Sequence, residues 1–127
     1  MQGKKVLLVD DDPDMVFIAR ELLRSVGLEV FTAPNGEQAL AAIKQDLPDL
    51  VISDLMLPGM DGGQFCKRVK QDPAFAAIPF LMLTAADTDE AVPLARESGA
   101  NAFLSKPFTH KMFLSKVNEL LSGGGKR

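Results

Sequence analysis

Short apolar runs alternate with amphipathic stretches along the chain. The apolar runs are rich in β-compatible residues and are too short for helices, so they predict buried strands. These runs cover residues 5–9, 28–32, 50–53, 78–83 and 102–105. After the first run, apolar residues recur at helical spacing, as in Met15, Ile18, Ala19 and Leu22, and similar spacing follows the others. The pattern therefore predicts five strands, each followed by a helix.

Capping residues indicate where the helices begin and end. Asp12-Pro13 puts a capping carboxylate before a proline at the first helical position, and Gly27 ends that helix. The remaining helices are predicted over 36–47, around 65–71, from 87 or 88 to 99, and over 110–121. Their spacing places Leu47 on the buried face of the second helix and Met112 on that of the last.

Uniformly apolar strands joined by helices indicate a parallel sheet that helices cover on both faces. Right-handed crossover connections then give a doubly wound α/β domain. We expect one domain over residues 1–121, followed by a flexible tail or linker stub over 122–127, because that tail is rich in glycine. In such a sheet the ligand binds outside the carboxyl ends of the strands. Polar residues at those ends are therefore the candidates for chemistry.

Composition narrows the class of protein. The chain has 127 residues, of which 46% are apolar, and this is enough to bury a core without disulfides or metals. Its net charge of −3 argues against direct nucleic-acid binding, because a phosphate backbone requires a concentrated basic surface. The single cysteine, Cys66, cannot form an intramolecular disulfide. Since no apolar run approaches the ~20 residues of a membrane span, we expect a cytoplasmic protein.

Polar residues follow four of the predicted strands. Asp10 and Asp11 close the first strand and Asp54 the third. Thr84 follows the fourth strand and Lys106 the fifth. The carboxyl ends of parallel strands meet at one edge of the sheet, so these side chains are expected to surround one small site. Carboxylates gathered there raise one another's proton affinity unless a cation neutralises them.

The three carboxylates predict a magnesium site that can support phosphoryl transfer. Asp10, Asp11 and Asp54 offer oxygen ligands without a histidine or thiolate, which selects a hard cation, and Mg²⁺ needs few protein carboxylates. Asp54 has no acidic neighbour in the sequence, so it is the natural nucleophile for an acyl phosphate. Thr84 and Lys106 would contact the transferred group.

Four motifs occupy these strand ends and the loop after the third strand. They are Val-Asp-Asp-Asp at 9–12, Ser-Asp-Leu-Met-Leu-Pro-Gly-Met-Asp-Gly at 53–62, Leu-Thr-Ala at 83–85 and Ser-Lys-Pro-Phe at 105–108. Together they resemble the receiver (response-regulator, chemotaxis-regulator-like) domain of two-component phosphorelays, over 5–121. The resemblance implies a flavodoxin-like (βα)5 fold with strand order 2-1-3-4-5. It also implies that a histidine kinase or a histidine phosphotransfer protein supplies phosphate, and that an unknown output partner binds the switched surface.

The resemblance implies roles for individual residues at the site. Asp54 would be the phosphoacceptor. Asp11 would bind Mg²⁺ directly, Asp10 would act largely through water, and the Met56 carbonyl would complete the metal site. The chain would then assist only its own phosphorylation and dephosphorylation, and would not be an enzyme acting on a separate substrate.

Further expectations come from the same resemblance. Thr84 and Lys106 would contact the phosphoryl group, and Phe103 would be the aromatic switch beside it. The Lys106-Pro107 bond would be cis, as cis peptide bonds are nearly always of the X-Pro type. Pro93 departs from the family's pattern, because it cannot donate its backbone hydrogen bond within the fourth helix. That helix is therefore expected to kink or begin near Pro93.

A Mg²⁺-dependent phosphatase of the haloacid dehalogenase type is the alternative. Such enzymes also use an aspartate nucleophile, a threonine and a lysine, and Asp10 and Asp12 match their pair of aspartates two residues apart. They also need acidic residues after a late strand, where this chain has Ser105-Lys106. A nucleotide-binding role is weaker still, because no glycine-rich phosphate loop follows Val9.

Overall fold

The computed structural model describes residues 3–85, 93 and 97–122 of the chain. Its strands are β1 (Lys5–Val9), β2 (Glu29–Ala33), β3 (Leu50–Asp54), β4 (Phe80–Ala85) and β5 (Ala102–Lys106). Its helices are α1 (Pro13–Ser25), α2 (Gly36–Gln45), α3 (Gly62–Gln71) and α4 (His110–Leu121). The helix predicted from 87 or 88 to 99, with its kink or start at Pro93, lies mostly outside the described residues; within it, Pro93 and Glu97 are helical.

The five strands form one parallel sheet in the order β2-β1-β3-β4-β5. This confirms the predicted strand order and makes β1 and β3 neighbours. In the register, Val9 pairs with Ser53, and Asp54 pairs with Leu83. The residues that follow these pairs therefore meet at one edge of the sheet, which is where doubly wound folds bind ligands.

Helices cover the two faces of the sheet and close two separate apolar cores. Because strand side chains alternate between faces, Leu7 and Val9 of β1 point into one core, while Val6 and Leu8 point into the other. Buried residues of α2 and α3 complete the first core, and those of α1 and α4 complete the second. Burial of each large apolar side chain contributes about 1.5–3 kcal/mol, so packing on both faces holds the strand ends in place.

Side-chain caps begin the first and last helices where the sequence predicts. The Asp12 carboxylate accepts a hydrogen bond from the Asp14 N–H at 3.0 Å, at the start of α1. The Thr109 hydroxyl accepts one from the Met112 N–H at 3.0 Å, at the start of α4. Across the described part of the chain, none of the helices has the length and apolar character needed to cross a bilayer.

Two predicted core positions are wrong. Leu47 is 54% exposed, because α2 ends at Gln45 and a residue that precedes a proline, here Pro48, disfavours the helical conformation. Met112 is 49% exposed, because Phe113 takes the inward position in the first turn of α4. The buried stripe of α4 therefore starts one residue later than its apolar sequence suggests.

Candidate functional site

The charged residues that end β1, β3 and β5 meet at the carboxyl edge of the sheet, as the sequence predicts. The charges of Asp54, Lys106 and Asp11 all act on the carboxyl group of Asp10. Thr84 lies on β4, one residue beyond the partner of Asp54 in the strand register. The strand order explains this convergence, because β1, β3, β4 and β5 are successive neighbours in the sheet.

Asp54 is held at this edge by a cation on β5. Its Oδ2 atom lies 3.0 Å from the Lys106 Nζ atom. The Met56 N–H donates to its Oδ1 atom at 3.4 Å, which is long for a hydrogen bond. The Asp54 side chain is 13% exposed and that of Lys106 is 33% exposed. A carboxylate that is partly open to solvent and lies beside a cation can act as a nucleophile toward an anionic group.

Asp10 is buried beside Asp54 and carries one unsatisfied oxygen. The residue is 3% exposed, and its Oδ1 atom accepts a hydrogen bond from the Asp12 N–H at 3.0 Å. Its Oδ2 atom has no hydrogen-bond partner among the described residues. Burial raises the pKa of Asp10; the Asp12 N–H opposes this shift, and the Asp54 charge adds to it. A buried anionic oxygen of this kind is one that a cation or an ordered water satisfies.

We expect Asp10→Asn to stabilise the metal-free protein at neutral pH by about 1 kcal/mol, because asparagine removes a buried charge and keeps an acceptor for the Asp12 N–H. Since the fold raises the pKa of Asp10, its ionised form is disfavoured in the native state. This loss of stability is absent at pH values below 3.8, the ordinary pKa of an aspartate. It is complete at pH values above the raised pKa that Asp10 has in the folded protein. Urea unfolding in the presence of a chelator should show a higher free energy of unfolding for Asp10→Asn than for wild type, and this difference should shrink as the pH falls. Equal free energies of unfolding at neutral pH would contradict the prediction.

The two acidic residues after Asp10 have different environments. Asp11 is exposed, so its carboxylate can turn toward a ligand without disturbing the core. Asp12 instead uses its side chain to cap α1. The interpretation of Asp12 as a helix cap is thus confirmed, whereas the assignment of Asp11 as a metal ligand stays a prediction.

Magnesium fits the donor chemistry at this edge. Within residues 3–85, 93 and 97–122, no three histidine, cysteine, aspartate or glutamate side chains already form a cluster that could hold a metal ion. The predicted site combines the carboxylates of Asp10, Asp11 and Asp54 with a backbone carbonyl and water, so it does not depend on side chains alone. The unsatisfied Oδ2 atom of Asp10 is the structural observation that agrees with a cation here. A donor set made only of oxygen atoms favours Mg²⁺ over softer metals.

Thr84 and Phe103 lie on the neighbouring strands β4 and β5 but differ in exposure. Thr84 is 3% exposed and pairs with Ser105 at the end of the sheet. Phe103 is 37% exposed and lines, with Pro107, a surface groove of about 630 Å³. The Lys106-Pro107 bond is cis, which confirms that prediction. The switch role of Phe103 stays a prediction.

Cys66 and His110 are two further side chains with reactive potential. Cys66 is fully buried in α3, and burial raises the pKa of its thiol to about 11, so the thiol stays protonated at neutral pH. His110 is exposed at the start of α4. The chemistry of the candidate site therefore depends on carboxylates, a hydroxyl group and an ammonium group.

Gly62 is a residue at this edge that the sequence did not single out. It is buried at the start of α3 and lies directly against the backbone of Asp54. In the sequence, Gly62 ends the motif at 53–62 and forms the pair Asp61-Gly62 after a loop. Such a pair is common in ordinary turns, so the contact of Gly62 with the end of β3 could not be predicted.

Comparisons with known proteins show which family this chain resembles. The family described as response regulator receiver domain matches residues 6–118. The chain is 38% identical over 118 residues to the DNA-binding response regulator MtrA of Mycolicibacterium smegmatis, which covers 93% of this chain and 50% of that protein. The chain spans about a quarter to a half of the length of the curated relatives it matches.

Solved structures share the fold as well. The receiver domain of a signal transduction histidine kinase from Syntrophus aciditrophicus aligns with a TM-score of 0.92 and 31% identity, covering 98% of this chain and 95% of that one. The receiver domain of the sensor histidine kinase PA1611 from Pseudomonas aeruginosa PAO1 aligns with a TM-score of 0.88 and 25% identity, covering 94% and 98%. That structure has a magnesium ion coordinated in its active site cleft.

Proposed function

Because this chain belongs to the response regulator receiver domain family, a signalling family of two-component systems, we propose that Asp54 is its phosphoacceptor and that Mg²⁺ binds beside it. The observation that carries the proposal is the 3.0 Å contact between Lys106 Nζ and Asp54 Oδ2, next to the buried carboxylate of Asp10, whose Oδ2 atom has no hydrogen-bond partner among the described residues. A partly exposed carboxylate, a positive charge and a buried oxygen without a hydrogen-bond partner in the described part of the chain thus share one edge of the sheet, which supports the proposal.

Four residues would hold the metal ion, and one of them is Asp54 through its carboxylate. Asp11 would bind it directly, Asp10 would act largely through water, and the Met56 carbonyl would complete the site. The exposure of Asp11 and the unsatisfied Oδ2 atom of Asp10 support these roles. The backbone of Met56 lies close to the site, because its N–H approaches the Asp54 carboxylate. Bound Mg²⁺ would supply positive charge to the oxygens of the phosphoryl group.

In the proposed reaction, a carboxylate oxygen of Asp54 attacks the phosphorus atom of the donor. A bond forms between that oxygen and phosphorus, the bond from phosphorus to the leaving group breaks, and the leaving group takes the electron pair. Lys106 would neutralise charge on the transferred phosphoryl group. Thr84 would donate its hydroxyl hydrogen to a phosphoryl oxygen.

Receiver domains of response regulators are phosphorylated by histidine kinases, and we propose a histidine kinase or a histidine phosphotransfer protein as the donor for Asp54. Phosphorylation would change the surface around Phe103, where an output partner would bind. The chain would catalyse only its own phosphorylation and dephosphorylation. The DNA binding that the name of MtrA describes belongs to that protein, of which this chain spans half.

Incubation of the wild-type chain with acetyl phosphate and Mg²⁺ tests the proposal. We expect Mg²⁺-dependent addition of a single phosphoryl group by intact mass, because the groups that stabilise the transferred phosphoryl group all belong to this chain. Peptide mapping should locate the adduct on the peptide that contains Asp54 and not on the one that contains Asp10 and Asp11. No adduct with both reagents present would contradict the proposal.

Thr84→Ala should separate phosphorylation from switching. A phosphoryl group can shift the conformation of β5 only through contacts that differ between two states, and the Thr84 hydroxyl is placed to make one. We expect Thr84→Ala to be phosphorylated but to show reduced NMR shifts at Phe103, whereas Thr84→Ser, which keeps the hydroxyl, should respond like wild type. Equal shifts in the alanine variant and wild type would show that this hydroxyl does not transmit the signal.

The phosphatase alternative gains no support from the structure or the comparisons. In that interpretation Asp12 would act on the substrate, but its carboxylate caps α1. The family match over residues 6–118 is to receiver domains.

A further inference from the structure

We propose that Gly62 is a positioning residue for phosphoryl transfer, because it allows the start of α3 to pack directly against the backbone of Asp54 at the end of β3. This inference rests on the proposed role of Asp54 as the phosphoacceptor. Gly62 is the first residue of α3 and is buried. It has no side chain to contact the substrate, so it acts through the backbone of Asp54 and Leu55.

Backbone atoms fill the space where a side chain at position 62 would begin. A Cβ atom on Gly62 would overlap the carbonyl oxygen of Asp54. It would also lie 2.8 Å from the Leu55 Cα atom and 3.0 Å from the Asp54 carbonyl carbon. These atoms end a strand inside the sheet, so they cannot swing aside as the tip of a side chain would. A side chain here must therefore displace either α3 or the acceptor backbone.

Gly62 also closes the acceptor loop, which we define as residues 55–61. The Gly62 N–H donates to the Leu55 carbonyl oxygen at 2.8 Å, and the Leu55 N–H donates to the Leu83 carbonyl oxygen of β4 at 2.9 Å. The loop is thus joined to α3 at one end and to the sheet at the other. Met56, whose N–H approaches the acceptor carboxylate, lies inside this closed segment.

The proposed chemistry is sensitive to this placement. Phosphoryl transfer requires mainly positioning and charge neutralisation. The Asp54 carboxylate must stay near the Lys106 Nζ atom, now 3.0 Å away, while the Met56 carbonyl must stay beside the metal site. A displacement of about 1 Å can slow such a reaction by about 100-fold. Because Gly62 contacts the backbone between these groups, moving α3 would disturb both.

Gly36→Ala is the matched control for Gly62→Ala. Gly36 is also the buried first residue of a helix, α2, and also follows a capping side chain. A Cβ atom on Gly36 would lie 3.0 Å from the Sδ atom of Met60, which is the flexible end of a side chain, and 3.3 Å from the Phe65 Cβ atom. The two variants make the same chemical change at the same helical position, but only Gly62→Ala pushes against the Asp54 backbone.

The test compares both variants with wild type in phosphorylation by acetyl phosphate and in Mg²⁺ titration, with urea unfolding as the measure of the folded fraction. We expect the rate per folded molecule to fall about 10- to 100-fold in Gly62→Ala, with weaker Mg²⁺ binding. Gly36→Ala should change both properties far less, because it meets the flexible end of the Met60 side chain and no backbone atom of Asp54. If Gly62 only supported the fold, Gly62→Ala would lower the urea midpoint of unfolding and leave the phosphorylation rate per folded molecule unchanged.

Wild-type rate and Mg²⁺ affinity in folded Gly62→Ala would overturn the inference while the proposed function stands. A wild-type chain that accepts no phosphoryl group would overturn the proposed function, and this inference with it. Phosphorylation of the wild-type chain therefore distinguishes failure of the Gly62 inference from failure of the proposed function.

Gln64→Ala provides a second variant if Gly62→Ala does not fold. Gln64 and Asp61 form reciprocal bonds at the start of α3: the Gln64 Oε1 atom accepts the Asp61 N–H at 3.1 Å, and the Asp61 Oδ1 atom accepts the Gln64 N–H at 2.8 Å. Removing the exposed Gln64 side chain loosens this first turn and leaves the apolar core intact. We expect the phosphorylation rate to fall about threefold or more; an unchanged rate would overturn the inference.

Discussion

Asp54→Asn is expected to abolish phosphorylation by acetyl phosphate while leaving the protein folded. An amide cannot replace a carboxylate as the nucleophile that forms an acyl phosphate. The variant also removes the anionic partner of Lys106, but that side chain is 33% exposed, so the cost in stability should stay within about 1 kcal/mol. Loss of the Asp54 charge also relieves Asp10, whose pKa burial and Asp54 both raise. Intact mass after incubation with donor and Mg²⁺ measures the result, and urea unfolding checks the fold.

Asp49→Asn is the matched control for this substitution. Asp49 lies immediately before β3, at the end of the strand opposite the site, and its Oδ2 atom accepts the Lys5 N–H at 2.7 Å. Asparagine keeps a side-chain acceptor, so this variant should be phosphorylated like wild type. Wild-type adduct levels in Asp54→Asn would assign the phosphoacceptor to another carboxylate, and peptides with Asp10 and Asp11 should be mapped first.

Lys106→Met is expected to slow the phosphorylation of Asp54 by about 100-fold. The Lys106 Nζ atom lies 3.0 Å from the Asp54 carboxylate, and removal of one fixed group that stabilises a transition-state charge typically costs this much in rate. Methionine keeps most of the apolar stem, so packing around β5 changes little. Rates of adduct formation at saturating Mg²⁺ measure the effect.

Two further variants serve as comparisons for Lys106→Met. Lys106→Arg keeps the positive charge but replaces a compact ammonium group with a larger, planar guanidinium group. Its phosphorylation rate should therefore lie between those of wild type and Lys106→Met. Lys111→Met removes an exposed lysine of α4 and should react like wild type. If Lys106→Met also reacted at the wild-type rate, charge neutralisation by this residue would not be part of the reaction.

Apolar periodicity predicts the elements well because strands and helices are local structures. The largest shift among the strands is in β4, which was predicted over 78–83 and spans Phe80–Ala85. Ile78 is buried, yet it lies in the turn before the strand. Burial and strand pairing are separate properties, and an apolar run reports only burial. The same limit explains Met112, an apolar residue that faces outward because Phe113 takes the inward position.

The residue types that gather at the sheet edge were readable from the amino-acid pattern, because parallel strands bring their carboxyl ends together. The packed fold alone revealed the 3.0 Å contact between Lys106 and Asp54, the unsatisfied oxygen of Asp10 and the close approach of Gly62 to the backbone of Asp54. Lys106 and Asp54 are 52 positions apart, and their separation depends on how both cores pack against the sheet. Local sequence patterns do not encode such distances, because they arise from packing among many residues at once.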